Sequence, residues 1–501
     1  MHFKGRDFLE SIIIHDLNFA YEGQPAIFEH CSLNLDDSWK LGLLGRNGRG
    51  KTTLMKILCQ QLPYTGQVNS RLQFSYFPLA IDDDTVLAGD ALLDAAPGQL
   101  EMWQIERELN LMKVDPALLW QPYRTLSGGE QTKLQLAALF AQRGFFLLLD
   151  EPTNHLDQQG RRQIAKYIQQ KQQGLIITSH DREFLDDVID HTLVIERHQL
   201  VLAHGNYSSY YQQKQRRDRE AQASNQHLKS EIKSLNRSRQ QRLQWAQSAE
   251  SEKKNNAHAD KGFIGAKAAK MMKKTITTTN RLAKAIDDRQ GLLQEVETVD
   301  QLPLNIVESH HATLLELKQV SLTIAGQQLF DPINIKVGFH DQVALTGPNG
   351  AGKSSLIKAI AGQFQGQVSG SINIAHGIKI SYVHQQCTNR GSLSDFARKN
   401  ELSYETLLTI LRKLGMERRT FVVPIEHMSM GQQKKVELAR SLATPAQLYI
   451  WDEPLNYLDT FNQDQLIQLI KEYRPPLLFT EHDQHFIKKV ASKQINLFPR
   501  K

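Results

Sequence analysis

Cysteine is scarce. The chain has three, Cys31, Cys59 and Cys387, in 501 residues. Their spacing suits neither a zinc site nor a disulfide framework, which excludes the stapled secreted scaffolds. Long apolar runs are missing as well: the longest notable one is FFLLL at 145–149, far short of the roughly 18 residues of a membrane-spanning helix. The opening MHFKGRDFLESIII holds no extended apolar core and no small-residue cleavage site, so it does not read as a secretory leader. These absences point to a cytoplasmic protein without a membrane part. Acidic residues are short in one region only. Residues 207–290 carry 19 Lys and Arg against 8 Asp and Glu, whereas the whole chain is only +6, so the flanks are mildly acidic. A basic middle of this kind calls for a polyanionic partner.

What is present is an internal repeat. GRNGRGKT at 45–52 returns as GPNGAGKS at 347–354, and LSGGEQ at 126–131 as MSMGQQ at 428–433. LLLDEPTNHLD at 147–157 returns as YIWDEPLNYLD at 449–459, and SHD at 179–181 as EHD at 481–483. Lys51 and Lys353, Ser127 and Ser429, Asp150 and Asp452, His180 and His482 are each 302 apart. Such agreement in order and register marks a duplicated domain. Each copy runs from a strand-rich start into a glycine loop, a helical middle and an apolar strand (FFLLLD, LYIWD) ending in an acid. That alternation predicts an α/β fold with two tandem nucleotide-binding domains, 1–205 and 306–501, each carrying an inserted helical subdomain.

GxxxxGK[ST] between a strand and a helix is a phosphate cradle, whose glycines let backbone N–H groups close on phosphate oxygens at a helix N-terminus. This assigns Gly45, Arg46, Asn47, Gly48, Arg49, Gly50, Lys51, Thr52 and Thr53 to nucleotide binding in the first copy. The second supplies Gly347, Pro348, Asn349, Gly350, Ala351, Gly352, Lys353, Ser354 and Ser355. Lys51 and Lys353 should reach the β- and γ-phosphates, with Thr52 and Ser354 on Mg²⁺. Asp150 and Asp452 end buried strands, where a carboxylate is costly without a cation, and Mg²⁺ is the natural partner. Glu151 and Glu453 are then placed to orient or deprotonate an attacking water, and His180 and His482 to contact the γ-phosphate. LSGGEQ sets a serine and two glycines at a helix start, a second kind of anion site. Each domain already has its own phosphate loop. Ser127, Gly128, Gly129 and Glu130, like Ser429, Gly431 and Gln432, are therefore expected to bind the nucleotide held by the other domain. Two ATP molecules would lie between the two copies of one monomeric chain.

Residues 207–250 lack Pro and Gly and place Leu228, Ile232 and Leu235 at helical spacing; Ile264, Ala268, Met271, Leu282, Ile286, Leu293 and Val296 continue a similar stripe. With SAESEKKNNAHADKG as a polar turn, 206–305 predicts an antiparallel helical hairpin, about 40 residues and ~60 Å per arm. Its basic side chains would bind phosphate backbones without reading sequence, and Trp245 and Phe263 near the turn could stack on exposed bases.

The set of phosphate loop, LSGGEQ, DEPTNHLD and following histidine resembles the ATP-binding cassette superfamily. Two cassettes on one chain with a basic helical linker look like its ABC-F translation-factor class. MSMGQQKK, WDEPLNYLD and DKGFIGAKAAKMMKK look like the antibiotic-resistance branch, nearest the Lsa type. The resemblance implies Mg²⁺-dependent hydrolysis of ATP to ADP and phosphate at two composite sites. It also implies an adenine stack at Tyr21 and a metal-facing Gln385. The partners it implies are the large subunit of the bacterial ribosome, its rRNA and the peptidyl-site tRNA. The linker would enter from the exit site and promote release of lincosamides, streptogramin A and pleuromutilins, with Arg242, Trp245, Lys253, Lys254, Lys261, Phe263, Lys267 and Lys270 as tip candidates. A housekeeping ABC-F factor acting on stalled ribosomes would share every ATPase motif. The energy subunit of a transporter would explain the cassettes but not the basic hairpin.

The sequence departs from the cassette pattern at three places. Thr323 and Ile324 stand where the second copy should carry an adenine-stacking aromatic, Leu79 where the first should carry a glutamine, and Met430 and Gln432 in the second signature. Unequal sites follow, with the second expected to hydrolyse faster.

Overall fold

In the computed structural model each phosphate loop follows a strand inside a parallel sheet. The structure describes residues 11–154, 156–255, 261–293, 300–385 and 387–500, without the side chains of 11, 246, 247, 249–255 and 261–272. In the first cassette the sheet order is Gln73–Phe77, Phe145–Asp150, Leu175–Thr178, Lys40–Leu44, His191–Glu196 and Gln199–His204, all parallel except the last. In the second it is Ile380–Val383, Leu448–Asp452, Leu477–Thr480, Gln342–Thr346 and Lys493–Asn496. Helices cover such sheets on both faces, which is why FFLLL, LIIT and LLFT are continuous apolar runs rather than alternating ones. A smaller antiparallel sheet completes each cassette, centred on Ser11–Ala20 in the first and Thr313–Ile324 in the second. The inserted helices are Ala88–Ala95, Met102–Met112 and Gly128–Ala141, and in the second cassette Leu393–Lys399, Tyr404–Lys413 and Met430–Ala443.

The chain divides into two units. One holds both cassettes (Met1–Tyr210 and Val299–Lys501) and the other is the hairpin, Tyr211–Thr298. Two helices make the linker, Tyr207–Asn255 with 49 residues and Lys261–Gly291 with 31. At 1.5 Å per residue the arms are about 73 and 46 Å, unequal where the sequence predicted about 40 residues each. The second arm stops at Gly291, a residue that favours helix ends, so Leu293 lies past the helix and Val296 outside the described residues. Arg289 Nε donates to Glu231 Oε2 across the hairpin at 2.5 Å, and Ala221, Thr279 and Ile286 are buried in it. Leu302 and Leu304, just after the hairpin, are buried in the core of the second cassette.

Candidate nucleotide site

Both phosphate loops turn through glycine in the left-handed region. Gly50 (φ 96°) and Gly352 (φ 86°) cap the helices Lys51–Leu58 and Lys353–Ile360, a conformation that costs a side-chain-bearing residue steric strain. Gly347 is tighter still, since a Cβ there would sit 2.4 Å from the Leu497 carbonyl oxygen. Within these loops Lys51 Nζ donates to Gly45 O (2.7 Å) and Asn47 Oδ1 (3.2 Å), and Lys353 Nζ to the carbonyls of Gly347 and Pro348 (2.9 and 3.0 Å). Burial holds both ammonium groups below their usual pKa, opposed by nearby carboxylates. Tyr21, the expected adenine platform, stands beside the loop with its hydroxyl 3.2 Å from Thr53 Oγ1. Its counterpart region in the second cassette presents an exposed Ile324.

The carboxylates are positioned by strand register. Asp150 and Thr178 are partners across parallel strands, as are Asp452 and Thr480. Thr178 Oγ1 donates to Asp150 Oδ1 (2.7 Å) and accepts the Glu151 N–H (2.9 Å); Thr480 does the same for Asp452 (2.6 Å) and Glu453 (3.0 Å). Glu151 and Glu453 turn out of the strand in the left-handed region, φ 53° and 48°, held there by this clamp. The sequence reading missed both threonines, whose only trace is the shared T of LIIT and LLFT. Replacing Thr480 with valine is expected to lower ATP hydrolysis about tenfold, since a buried carboxylate loses a charge-assisted hydrogen bond. Phosphate release at saturating ATP checks this; unchanged turnover would make the clamp dispensable.

The two acid pairs sit in different surroundings. Asp150 Oδ2 accepts from Thr52 Oγ1 (2.7 Å) and from the Tyr76 hydroxyl (2.9 Å), a contact not foreseen from the sequence. Asp452 is bonded by Ser354 as well as Thr480. The carboxylate oxygens of Glu151 are buried, and that burial, only partly offset by Lys51 and by the His180 backbone N–H, pushes its carboxyl up to about 7. Glu453 Oε2 instead accepts from Gln385 Nε2 (2.9 Å) and Asn456 Nδ2 (2.6 Å). Gln385, expected to face a metal, thus faces the glutamate. In the first cassette the corresponding Leu79 is buried and its N–H donates to Gln135 Oε1 (2.9 Å). His180 Nε2 lies 3.2 Å from Glu151 Oε1, and His482 Nε2 lies 3.7 Å from Glu453 Oε1. Burial and the adjacent loop lysines hold these imidazoles neutral, down to about 3 and about 4.

The signature serines are helix caps. Ser127 Oγ accepts the Glu130 N–H (3.3 Å) while Glu130 Oε2 accepts the Ser127 N–H (2.8 Å); Ser429 and Gln432 repeat this reciprocal pair. S-x-x-[EQ] signals such a capping box, so Glu130 and Gln432, expected on nucleotide, close the helix start. Gly431 packs tightly: a Cβ on it would lie 2.9 Å from Tyr457 O and 3.3 Å from Asn47 Nδ2 of the other cassette. Asn47 N donates to Asp459 Oδ2 (2.7 Å) and Asn47 Nδ2 to Tyr457 O (2.8 Å), while the reciprocal Asn349 N to Asp157 Oδ2 spans 3.5 Å. Arg46 reaches over the Phe461 ring at 4.1 Å, where the second loop has Pro348. The first phosphate loop is therefore in direct contact with the second cassette's signature glycine and the loop after its Asp452–Glu453 pair.

The buried Glu151 oxygens, close to Lys51, and the unpartnered His482 Nε2, close to Lys353, are of the kinds that hold a water and a terminal phosphate beside a glycine loop. Thr52 with Asp150, and Ser354 with Asp452, are hard oxygen donors of the kind Mg²⁺ takes alongside phosphates. In the hairpin Arg242 and Trp245 are exposed, Trp245 by 70%. The side chains of Lys253, Lys254, Lys261, Phe263, Lys267 and Lys270 lie outside the described residues. Among the described residues no helix is long and apolar enough to cross a membrane.

A family model described as ABC transporter matches residues 28–154 and 330–456. The chain is 25% identical to the ribosome protection protein VmlR of Bacillus subtilis, over 95% of its own length and 85% of that protein's. It is 29% identical to the erythromycin resistance ATP-binding protein MsrA of Staphylococcus epidermidis, covering 93% and 94%. Among solved structures it resembles an archaeal ribosome recycling factor, aABCE1, crystallised with the stalk protein aP1. The TM-score is 0.61 at 17% identity, over 96% of this chain and 87% of that one, a likeness of fold alone.

Proposed function

Because the chain belongs to the ATP-binding cassette family, in the ABC-F-type arrangement of two cassettes on one chain, we propose that it is a cytoplasmic, ATP-driven ribosome factor. Its basic linker would act on the peptidyl-transferase region of the large subunit. The observation that carries this reading is the pairing of two cassettes in mutual contact with a long hairpin of net positive charge. A solvated spacer needs no such charge; RNA does.

In this reading ATP binds at two composite sites. Lys51, Thr52, Asp150 and Glu151 face Ser429 and Gly431, and Lys353, Ser354, Asp452 and Glu453 face Ser127, Gly128 and Gly129. Mg²⁺, held by Thr52 and Asp150 or by Ser354 and Asp452, would neutralise phosphate charge. Glu453 orients the water and takes its proton, while neutral His482 contacts the γ-phosphate. The bound nucleotide draws the cassettes together and hydrolysis lets them part. The closed form docks from the exit site, where Arg242, Trp245 and the tip lysines meet rRNA and the peptidyl-site tRNA. The drugs displaced would be lincosamides, streptogramin A and pleuromutilins, as in the Lsa type.

Ribosome cosedimentation of the Glu151→Gln/Glu453→Gln double variant tests the reading. Retention on the large subunit with ATP and not with ADP is expected; no binding in either state would sink it. Drug susceptibility of cells with and without the gene then separates protection from a housekeeping role on stalled ribosomes.

A further inference from the structure

Arg182 stands two residues after His180, at the start of the short helix Arg182–Val188. Its side chain is almost fully buried, although nothing in the phosphate chemistry uses it. Its Nη2 donates to the second cassette at two points, Thr460 O (2.9 Å) and Asp464 Oδ1 (2.8 Å). Its guanidinium carbon also lies 5.7 Å from the ring centroid of Tyr207, the first residue of the linker helix. The same short helix grips the next residue of that helix, since Asp186 Oδ1 accepts the Ser208 N–H at 2.7 Å. Tyr210 is tied to the first cassette as well, through its hydroxyl to Glu196 (3.2 Å). Next to Arg182, Gln463 Nε2 donates to the His180 carbonyl (3.2 Å). Arg182 also acts electrostatically on Asp483 and His485 of the second cassette; Asp181 and Arg161 act on the same Asp483, and Asp464, Lys489 and Glu183 on His485.

Three elements therefore meet at one guanidinium: the histidine loop of the first cassette, the helix Thr460–Tyr473 of the second, and the root of the linker. We propose that Arg182 is a positioning residue that couples closure of the cassettes to anchorage of the first turn of the linker helix. When the cassettes part, Arg182 must release Asp464 and Thr460 or be drawn along with them, because a buried guanidinium stripped of acceptors is costly. Release frees the guanidinium that also faces Tyr207, and being drawn along moves the helix that holds Ser208. The device is one-sided: position 484 of the second copy is glutamine. The inference rests on the reading that ATP closes the cassettes, and not on the ribosome assignment.

The test is hydrogen exchange of the segment 205–212 in the full-length Glu151→Gln/Glu453→Gln protein, with ATP or with ADP, alongside ATP retention through desalting. Retention should be seen in this parent and in both further variants, Arg182→Gln and Asp464→Asn. In the parent, ATP is expected to slow exchange of the segment about tenfold relative to ADP, the scale of one charge-assisted hydrogen bond. Both variants should erase that ratio. A merely structural arginine would change exchange equally in both nucleotides and leave the ratio intact, which would overturn the proposal. A parent that retains ATP without slowing the segment would overturn it too. A parent that retains no ATP would remove the closure reading, and the proposal with it, before any Arg182 variant is made. Should Arg182→Gln fail to fold, Asp464→Asn, on the partly exposed side of the contact, decides.

Discussion

Steady-state ATP hydrolysis is expected to fall at least about a hundredfold in Glu453→Gln and less than about threefold in Glu151→Gln, the larger loss lying within the range of one general base. The reason lies in what holds each carboxylate. Glu453 is fixed by the amides of Gln385 and Asn456, so one oxygen is anchored while the other faces His482. Glu151 has no such pair of side-chain amides, and with a carboxyl near 7 a large part of it is protonated at neutral pH and cannot accept a proton from water. In its cassette the position of Gln385 belongs to Leu79, turned into the core. Phosphate release by the two single variants settles the matter; equal losses would mean that the sites are equivalent.

The same buried glutamate gives the second large effect. Glu151→Gln is expected to stabilise the nucleotide-free protein at alkaline pH. A carboxyl whose ordinary value is 4.5 and whose folded value is about 7 binds its proton more tightly in the folded state. The stability it contributes is complete below pH 4.5 and is lost as pH rises through 7. Glutamine has no proton to lose, so its advantage grows across that window and then levels at up to about 3 kcal/mol. For domains of this size that is a rise in Tm of about 5 °C or more at pH 8, with little difference at pH 5. Glu453→Gln should show no comparable gain, because its acceptor oxygen is already bonded. Scanning calorimetry at both pH values reads this out. A gain of the same size at pH 5 would mean that something other than the carboxyl's ionisation is responsible.

The two expectations together describe a compromise. Glu151, expected to activate water, also carries a poorly compensated buried charge once ionised, and a cation brought in with the nucleotide would offset it. Lys51 does so in part, its ammonium being the largest favourable influence on Glu151.

Much of this was legible in the sequence because cassette chemistry is written in contiguous runs. The glycine loop, the acid pair and the histidine each sit at the end of a strand, and a spacing of 302 repeats them. Local physics places such residues: glycine turns where φ must be positive, an apolar run buries its strand, and a helix lacking Pro and Gly continues. By itself the sequence thus determined the doubled α/β architecture, the phosphate loops, the carboxylates and the basic hairpin. Tertiary structure alone decided the rest. The pairing of Thr178 with Asp150 depends on the register of two strands 28 residues apart, and Tyr76 reaches Asp150 over 74. The reach of Asn47 to Asp459 spans 412 residues, and that of Arg182 to Asp464 spans 282. Contacts across such separations are set by how sheets and cassettes pack, and no local pattern of residue types encodes that.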